Sequence, residues 1–560
     1  LIKPLKLLII VLLALTTTFI FMGCGEEDPV ADKDEPEEER IVPELTLHTT
    51  TMEFDPGRNE AALMIQENME ELGFKVDVRP LEHSTLVDRA RRAPGEKDWH
   101  GLILGWSGRI ERIDPDMFTY TLFHSSQAVQ GGNNFHAYQD DEFDEIAKAQ
   151  RKAMDTDERQ ELIYEAQEKL AEDAPMYVLY YVEGLNALNT EKWDEDTMIK
   201  TPEGLYNEWL PFYGEPLTDD SELRIGGLQD LDTVNPYAAT SVFEWKLLRL
   251  VYDKLVRVGP GLEPKPWAAE DFEVSEEGDQ VDVSLRDDMT FHDGKPVTPD
   301  DVVFTFENMI DVGVPYFEGF LDPIDQVELL EDDTIRFELE DPYAPFLTNT
   351  LGQIPILPKH IWEDIEEEEN LSHPDEYENI PVIGSGPFEF SDWQRGEYLQ
   401  IEKYEEYFEA DEIDMDGINY IIYGHEEGQF GGLEQEAIEM VAEGFESDYV
   451  DRVDDIDHLE LKTHPSIGLN YMSLNNSKPP FDDKAVRHAM GHLINHELLI
   501  DVLQDGYAMP GGAGRVISPA NDFWRNPDVE EYEFDMDKAR SILEEAGYEW
   551  DSEGRIYYPE

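Results

Sequence analysis

Apolar and polar positions begin to alternate regularly at Glu44. ELTLHTT (44–50) has the two-residue period of a strand. Over residues 54–74 the period changes: Ala61, Met64, Ile65, Met69 and Leu72 recur at helical spacing, which predicts an amphipathic helix, and Gly73 supplies its stop. FKVDVRPL (74–81) returns to strand, and HGLILGW (100–106) has the continuous apolar run of a buried strand. Strand, helix and strand in that order predict an α/β layer. Two more helical patterns lie in 142–172, and APMYVLYYV (174–182) is a further strand.

Residues 201–220 (TPEGLYNEWLPFYGEPLTDD) are rich in Pro, Gly and acid and predict a boundary. A second run of elements starts at Ser221. ELRIGGL (222–228) is a strand, and 241–259 reads as a helix followed by a turn. Residues 272–286 and 333–340 alternate as strands, and between them 299–310 is a helix N-capped near Thr298 or Asp300. Strand patterns follow over 451–464 and 469–476, then one strong helix over 483–503. The chain closes on a helix at 535–548 and on DSEGRIYYPE (551–560), a turn and a strand with no partner after it. No short-period repeat is present.

The length of 560 residues exceeds one ordinary core and predicts two or three lobes. With 40% hydrophobic and 11% aromatic residues the chain can build them. Charge then narrows the picture. Acidic residues number 128 against 42 basic ones, for a formal net charge of -86. Such a field repels nucleic acid and anionic lipid and attracts cations. The acids are spread along the whole length, which suits a surface kept hydrated in strong salt, where screening shortens self-repulsion to about 3 Å at 1 M. The composition is that of a halophile's protein.

Lys3 and Lys6 precede an apolar run at 7–22, and then come Gly23, Cys24 and Gly25. These are the parts of a secretory signal, residues 1–23, and FMGC places the only cysteine where a lipoprotein signal would have it acylated. The alternative is an uncleaved anchor helix, for which a sixteen-residue run is marginal. Residues 24–43, acidic and Pro-containing, have almost nothing to bury and read as a tether. With one cysteine no intramolecular disulfide can form.

Several longer words stand in a fixed order: 232–256, 266–306, DPYAPFL (341–347), IPILPKHIW (354–362), GSGPFEF (384–390), 475–490 and 531–548. Together they resemble the family 5 solute-binding proteins, which include the peptide- and nickel-binding components of ABC importers. The resemblance implies a two-lobed, periplasmic-binding-protein-like α/β fold (type II, with an extra subdomain), no catalytic group and no cofactor. It further implies capture of a small solute, an oligopeptide or dipeptide, for the permease subunits of an ABC importer at the outer face of the membrane. A nickel chelate, an oligosaccharide, a carboxylate, or a sensor rather than an importer role stay open.

Parts that the family carries after the AGY of 546–548 resemble residues 44–200 here, including GLILGWSG (101–108) and DPDMFTYTLFHSS (114–126). The expectation is a circular permutation: 44–200 equivalent to the family's C-terminal third, 221–560 to its N-terminal two-thirds, and 201–220 joining the former ends. Leu45–Leu47 and Ile556–Tyr558 should then pair as a hairpin without its loop. The resemblance puts Asn235, Tyr237 and Trp245 at the cleft entrance. It makes Gly384–Phe388, with Ser385 and Gly386, a segment crossing between lobes. It sets Trp106, Ser107, Arg109, Glu111 and Asp114 where the solute's polar end is held. Peptide-binding members commonly carry an acid where this chain has Arg109. Glu111, Asp114 or Asp116 could replace it, whereas an arginine favours a carboxylate or another anion. His488, His492 and His496 recur every fourth residue, a spacing that can hold a metal but in relatives belongs to lobe packing. His292 belongs to a turn motif.

Overall fold

The computed structural model describes residues 38–560. The signal, Cys24 and most of the tether lie outside the described residues, and among the described residues no helix is long and apolar enough to cross a membrane.

The first lobe begins with β1 (Leu45–Thr50), α1 (Pro56–Leu72), β2 (Val76–Leu81), α2 (His83–Ala90) and β3 (Gly101–Trp106). Helix α1 forms where its pattern predicts. Asp55 caps it by accepting from the Arg58 N–H at 2.9 Å, Pro56 fits its first position, and Gly73 ends it at a φ of 106°. Ala61, Ile65, Met69 and Leu72 are buried on the sheet. Helices α3 (Asp141–Lys152) and α4 (Thr156–Asp173) lead into the long strand β4 (Met176–Asn189).

The chain then builds a second lobe from β5 (Glu222–Gly227), α5 (Val242–Val251), β6 (Ala269–Val274), β7 (Gln280–Leu285), α6 (Pro299–Val312), β8 (Ile324–Leu329), β9 (Ile335–Leu339), β10 (Phe388–Gln394), β11 (Tyr398–Lys403), β12 (Gly417–Ile422) and β13 (Met440–Val441). Strands β8-β9-β7-β6 form an antiparallel subdomain sheet, and β10-β11-β12-β5-β13 a mixed one. Thr298 caps α6 in a capping box with Asp301.

The chain returns to the first lobe through β14 (Leu459–Pro465) and β15 (Leu469–Leu474), followed by α7 (Lys484–Gly491), α8 (His496–Leu503), β16 (Ala508–Gly512) and α9 (Met536–Glu545). Its sheet runs β14-β4-β15-β3-β1-β2, with β16 also on β4. The β2-β1-β3 edge is parallel and the rest antiparallel. Strands β4 and β14 pair from Glu183↔Pro465 to Asn189↔Leu459 as they cross between lobes. At the far end the Asn189 N–H donates to Glu439 O at 2.9 Å, and Asn186 Nδ2 to Val441 O at 2.8 Å. This pair joins the two lobes.

Three expectations need correction. The helix expected over 483–503 is two helices: α7 stops at Gly491, packed so close to Tyr532 that a Cβ would lie 2.2 Å from its ring, and Asn495 caps α8. The segment 201–220 is not an open joiner throughout. Leu205, Tyr206, Asn207, Glu208, Trp209 and Leu210 are buried in the second lobe, and only 215–220 runs largely at the surface. The paired ends are Arg40–Val42 and Ile556–Tyr558, not Leu45–Leu47: Val42 N donates to Ile556 O at 3.0 Å and Tyr558 N to Arg40 O at 2.8 Å. Strand β1 already has neighbours on both sides, and Pro43, which has no N–H, separates the two ladders.

Candidate functional site

Past the end of β3 the chain turns through Ser107 and Gly108 and runs along the second lobe as far as Asp116. Glu111 is the centre of this seam. Its carboxylate accepts from the guanidinium of Arg249 on α5 and from the Tyr316 hydroxyl, both on the opposite lobe. Arg249, buried in the apolar run LLRLV, also donates to Glu203 at 2.9 Å. Lys246, one turn earlier, donates to the carbonyls of Glu203 and Ala442. Burial works against the Glu111 carboxylate, yet Arg249 and Tyr316 hold its pKa below the ordinary value. Burial pushes Glu203 the other way, with Arg249 and Lys246 opposing.

A second bridge lies beside it. Asp114 takes a bidentate pair from Arg159 of α4 at 2.6 and 3.0 Å, and it accepts from Thr348 Oγ1 of the second lobe at 2.9 Å. Asp116 accepts from Gln150 at 2.7 Å and pairs with Arg151 at 3.1 Å; burial raises its pKa. Arg151 sits over the rings of Tyr120 and of Tyr343 from the other lobe, and its carbonyl accepts from Ala344 N at 2.6 Å. Ile110, Ile113 and Ile467 pack on Val258 and Leu262 of the second lobe. The lobes therefore meet through one buried ion pair, Glu111 with Arg249, the hydrogen bonds of Tyr316 and Thr348, and one apolar contact.

The expected entrance residues sit inside the second lobe. Asn235 is buried: its Nδ2 donates to Pro374 O and Tyr377 O, both at 2.8 Å, and its Oδ1 accepts from Tyr237 N. Tyr237 is buried with its hydroxyl on Asn308. Trp245 donates to Ala239 O at 3.2 Å, and its ring stacks on Tyr316 at 5.3 Å, next to the Glu111 contact. Gly384–Phe388 does not cross between lobes; it joins the subdomain to the mixed sheet. Its two glycines lie so close to the end of α5 that a Cβ would sit 2.0 Å from Val251 O at Gly384 and 2.6 Å from Leu250 O at Gly386. His292 ties this turn, with its N–H donating to Gly384 O at 2.8 Å, while burial lowers its ring pKa to about 4. The Ser385 hydroxyl is buried without a hydrogen-bond partner.

Trp106 is half-buried and stacks on Phe135 at 5.6 Å. Ser107 is exposed and accepts from Arg112 through both Oγ and carbonyl. Arg109 has a buried Nε with no partner. The three histidines do not converge: His488 bonds Glu172 O and Tyr532, His492 bonds Glu533 O, and His496 bonds Leu179 O. Among the described residues no group of His, Cys, Asp or Glu is placed to hold a metal ion. Sequence reasoning missed Arg249, Tyr316 and Thr348. Only Arg249 left a signal, as a lone charge within an apolar helix.

This arrangement, two lobes joined by two paired strands with a polar seam between them, is the geometry of the two-lobed binding-protein class. The model of the bacterial extracellular solute-binding proteins, family 5 Middle, matches residues 263–559, more than half of the chain, and the chain belongs to that family. It is similar to the oligopeptide-binding protein AppA of Bacillus subtilis (strain 168), 27% identical over 334 residues that make up 58% of this chain and 59% of the relative. It is also similar to the dipeptide-binding protein of Escherichia coli (strain K12), 28% identical over 319 residues, or 53% of this chain and 58% of the relative. The chain thus spans less than two thirds of the length of these relatives. Among solved structures, HbpA2 from Haemophilus parasuis shares the fold, with a TM-score of 0.50 at 21% identity over 58% of this chain and 67% of that one.

Proposed function

We propose that this chain is a lipid-anchored extracytoplasmic protein that captures an oligopeptide or dipeptide between its lobes and delivers it to the permease of an ABC importer. The observation that carries this reading is the seam in which Glu111 of one lobe meets Arg249 and Tyr316 of the other, with the lobes joined by β4 and β14. A solute entering there exchanges its own polar groups for such contacts. The names of the relatives support a peptide. Cys24, outside the described residues, is the site of the anchor, and the spread of acid suits life in strong salt.

The reading includes a permuted chain order. The antiparallel contact of Arg40–Val42 with Ile556–Tyr558, a hairpin lacking its loop, supports it. So does the surface course of 215–220, which would join two former ends.

The test is a thermal-shift screen of residues 25–560 in multimolar KCl against di- to octapeptides, nickel chelates, oligosaccharides and small carboxylates. A ligand at a hundred times its dissociation constant adds about 2.7 kcal/mol and raises Tm visibly. A rise with peptides is expected. Cooperative melting that responds to another class alone would overturn the peptide assignment.

A further inference from the structure

The first lobe holds a cavity of about 410 Å³ at the carboxyl ends of β1 and β3, the edge at which open α/β sheets receive ligands. All of its walls come from this one lobe. One wall is aromatic. Phe54, half exposed, stacks on His83 with ring centres 4.3 Å apart, and Trp106 stacks on Phe135, with Tyr471 behind. Burial and the nearby Arg58 lower the pKa of the His83 ring.

The charges on the opposite side are cationic. Arg58 lies flat on β3 because Gly105 has no side chain; a Cβ there would be 2.2 Å from its guanidinium. It is fixed by Asn470 at 2.7 Å and is neutralised by Asp55 at 3.0 Å. Arg112 lies over Trp106 at 5.0 Å and bonds only Ser107, and Arg91 reaches Asn133 at 3.3 Å. Neither Arg112 nor Arg91 has a carboxylate ion-pair partner among the described residues, in a protein with three acids for every base. Burial, with Arg109 close by, lowers the pKa of Arg112 against the opposing charge of Glu111.

We propose that this pocket receives a carboxylate carried on an aromatic or bulky apolar group, with Arg112 and Arg91 taking the anion and the Phe54–His83 and Trp106–Phe135 stacks taking the ring. The inference rests on the solute-binding reading and names the chemistry of one end of its solute. A guanidinium held over an indole presents a planar fork that matches a carboxylate in two bonds, whereas a neutral amide offers no charge to repay its desolvation.

The experiment is calorimetric titration of residues 25–560 in 2 M KCl with 3-phenylpropionate and with 3-phenylpropionamide. The acid should bind at least tenfold more tightly than the amide, and Arg112→Gln and Arg91→Gln should each weaken the acid about tenfold. Arg540→Gln, a distant surface arginine over Trp550, should leave it unchanged. Equal binding of acid and amide, no binding of either, or indifference to both pocket substitutions overturns the inference. Peptides that still raise Tm under those outcomes leave the solute-binding reading standing, so the two failures are separable.

Discussion

The seam and the pocket are a short distance apart and both contain arginine, but their balance is opposite. Arg249 is enclosed by Glu111 and Glu203 and is buried with them. Arg112 and Arg91 face a cavity whose one carboxylate, Asp55, is paired with Arg58. A buried charge is tolerated only with its partner present, so the seam charges are satisfied while the lobes meet, and a solute that parts them must supply partners of its own. The pocket arginines have no carboxylate ion pair, and under the proposal above a ligand's anion supplies it. The lesson is that charge type says little here; the pairing state of each arginine is what separates the two regions.

The comparison is broken most strongly at Arg249. Arg249→Met strands Glu111 and Glu203 in a buried seam, and we expect a loss of about 3–5 kcal/mol in urea unfolding. Glu111→Gln leaves Arg249 paired with Glu203 and should cost about 1–3 kcal/mol. It should also raise the radius of gyration by X-ray scattering as the lobes part. The sign of its pH dependence follows from a folded pKa below the ordinary one. The Glu111 contribution is present above about pH 4.3 and is lost as pH falls through the lower, folded value. The gap in urea midpoint between wild type and Glu111→Gln should therefore hold from pH 7 to 5 and shrink below pH 4.3.

A smaller effect is expected at the second bridge. Thr348→Val removes one interlobe hydrogen bond to Asp114, which keeps its Arg159 pair, and should cost about 1 kcal/mol by the same unfolding assay. The smallest belongs to the pocket. Arg112→Gln should change stability by no more than about 0.5 kcal/mol, since no carboxylate is left stranded. A loss as large as that of Arg249→Met would erase the distinction between the two regions.

Local pattern made much of the first lobe legible. The period of α1, its Asp55 cap and Gly73 stop, and the buried run of β3 are all set by neighbours within a few residues. Long-range pairing was not legible. Glu111 was singled out as an acid near the solute's polar end, but its partner Arg249 lies 138 residues away, and no spacing rule connects them. Composition misled at 201–213: proline and glycine suggested a linker, while Leu205, Tyr206 and Trp209 were the better guide to burial. At 483–503 the apolar period runs unbroken through Gly491 and Asn495, and only the packing of Tyr532 against the glycine shows why the helix divides.

The meeting of Arg40–Val42 with Ile556–Tyr558 has a mechanical consequence. A pull on the segment that precedes residue 38 reaches this short antiparallel pairing before it reaches β1. Val42 N to Ile556 O, Tyr558 N to Arg40 O, and the Arg40 side chain on Tyr558 O and Glu549 bear the load first. Strands β4 and β14 make none of these bonds. Tension applied through residue 38 would thus be taken up at the edge of one lobe, and the two strands that join the lobes would stay out of the line of force.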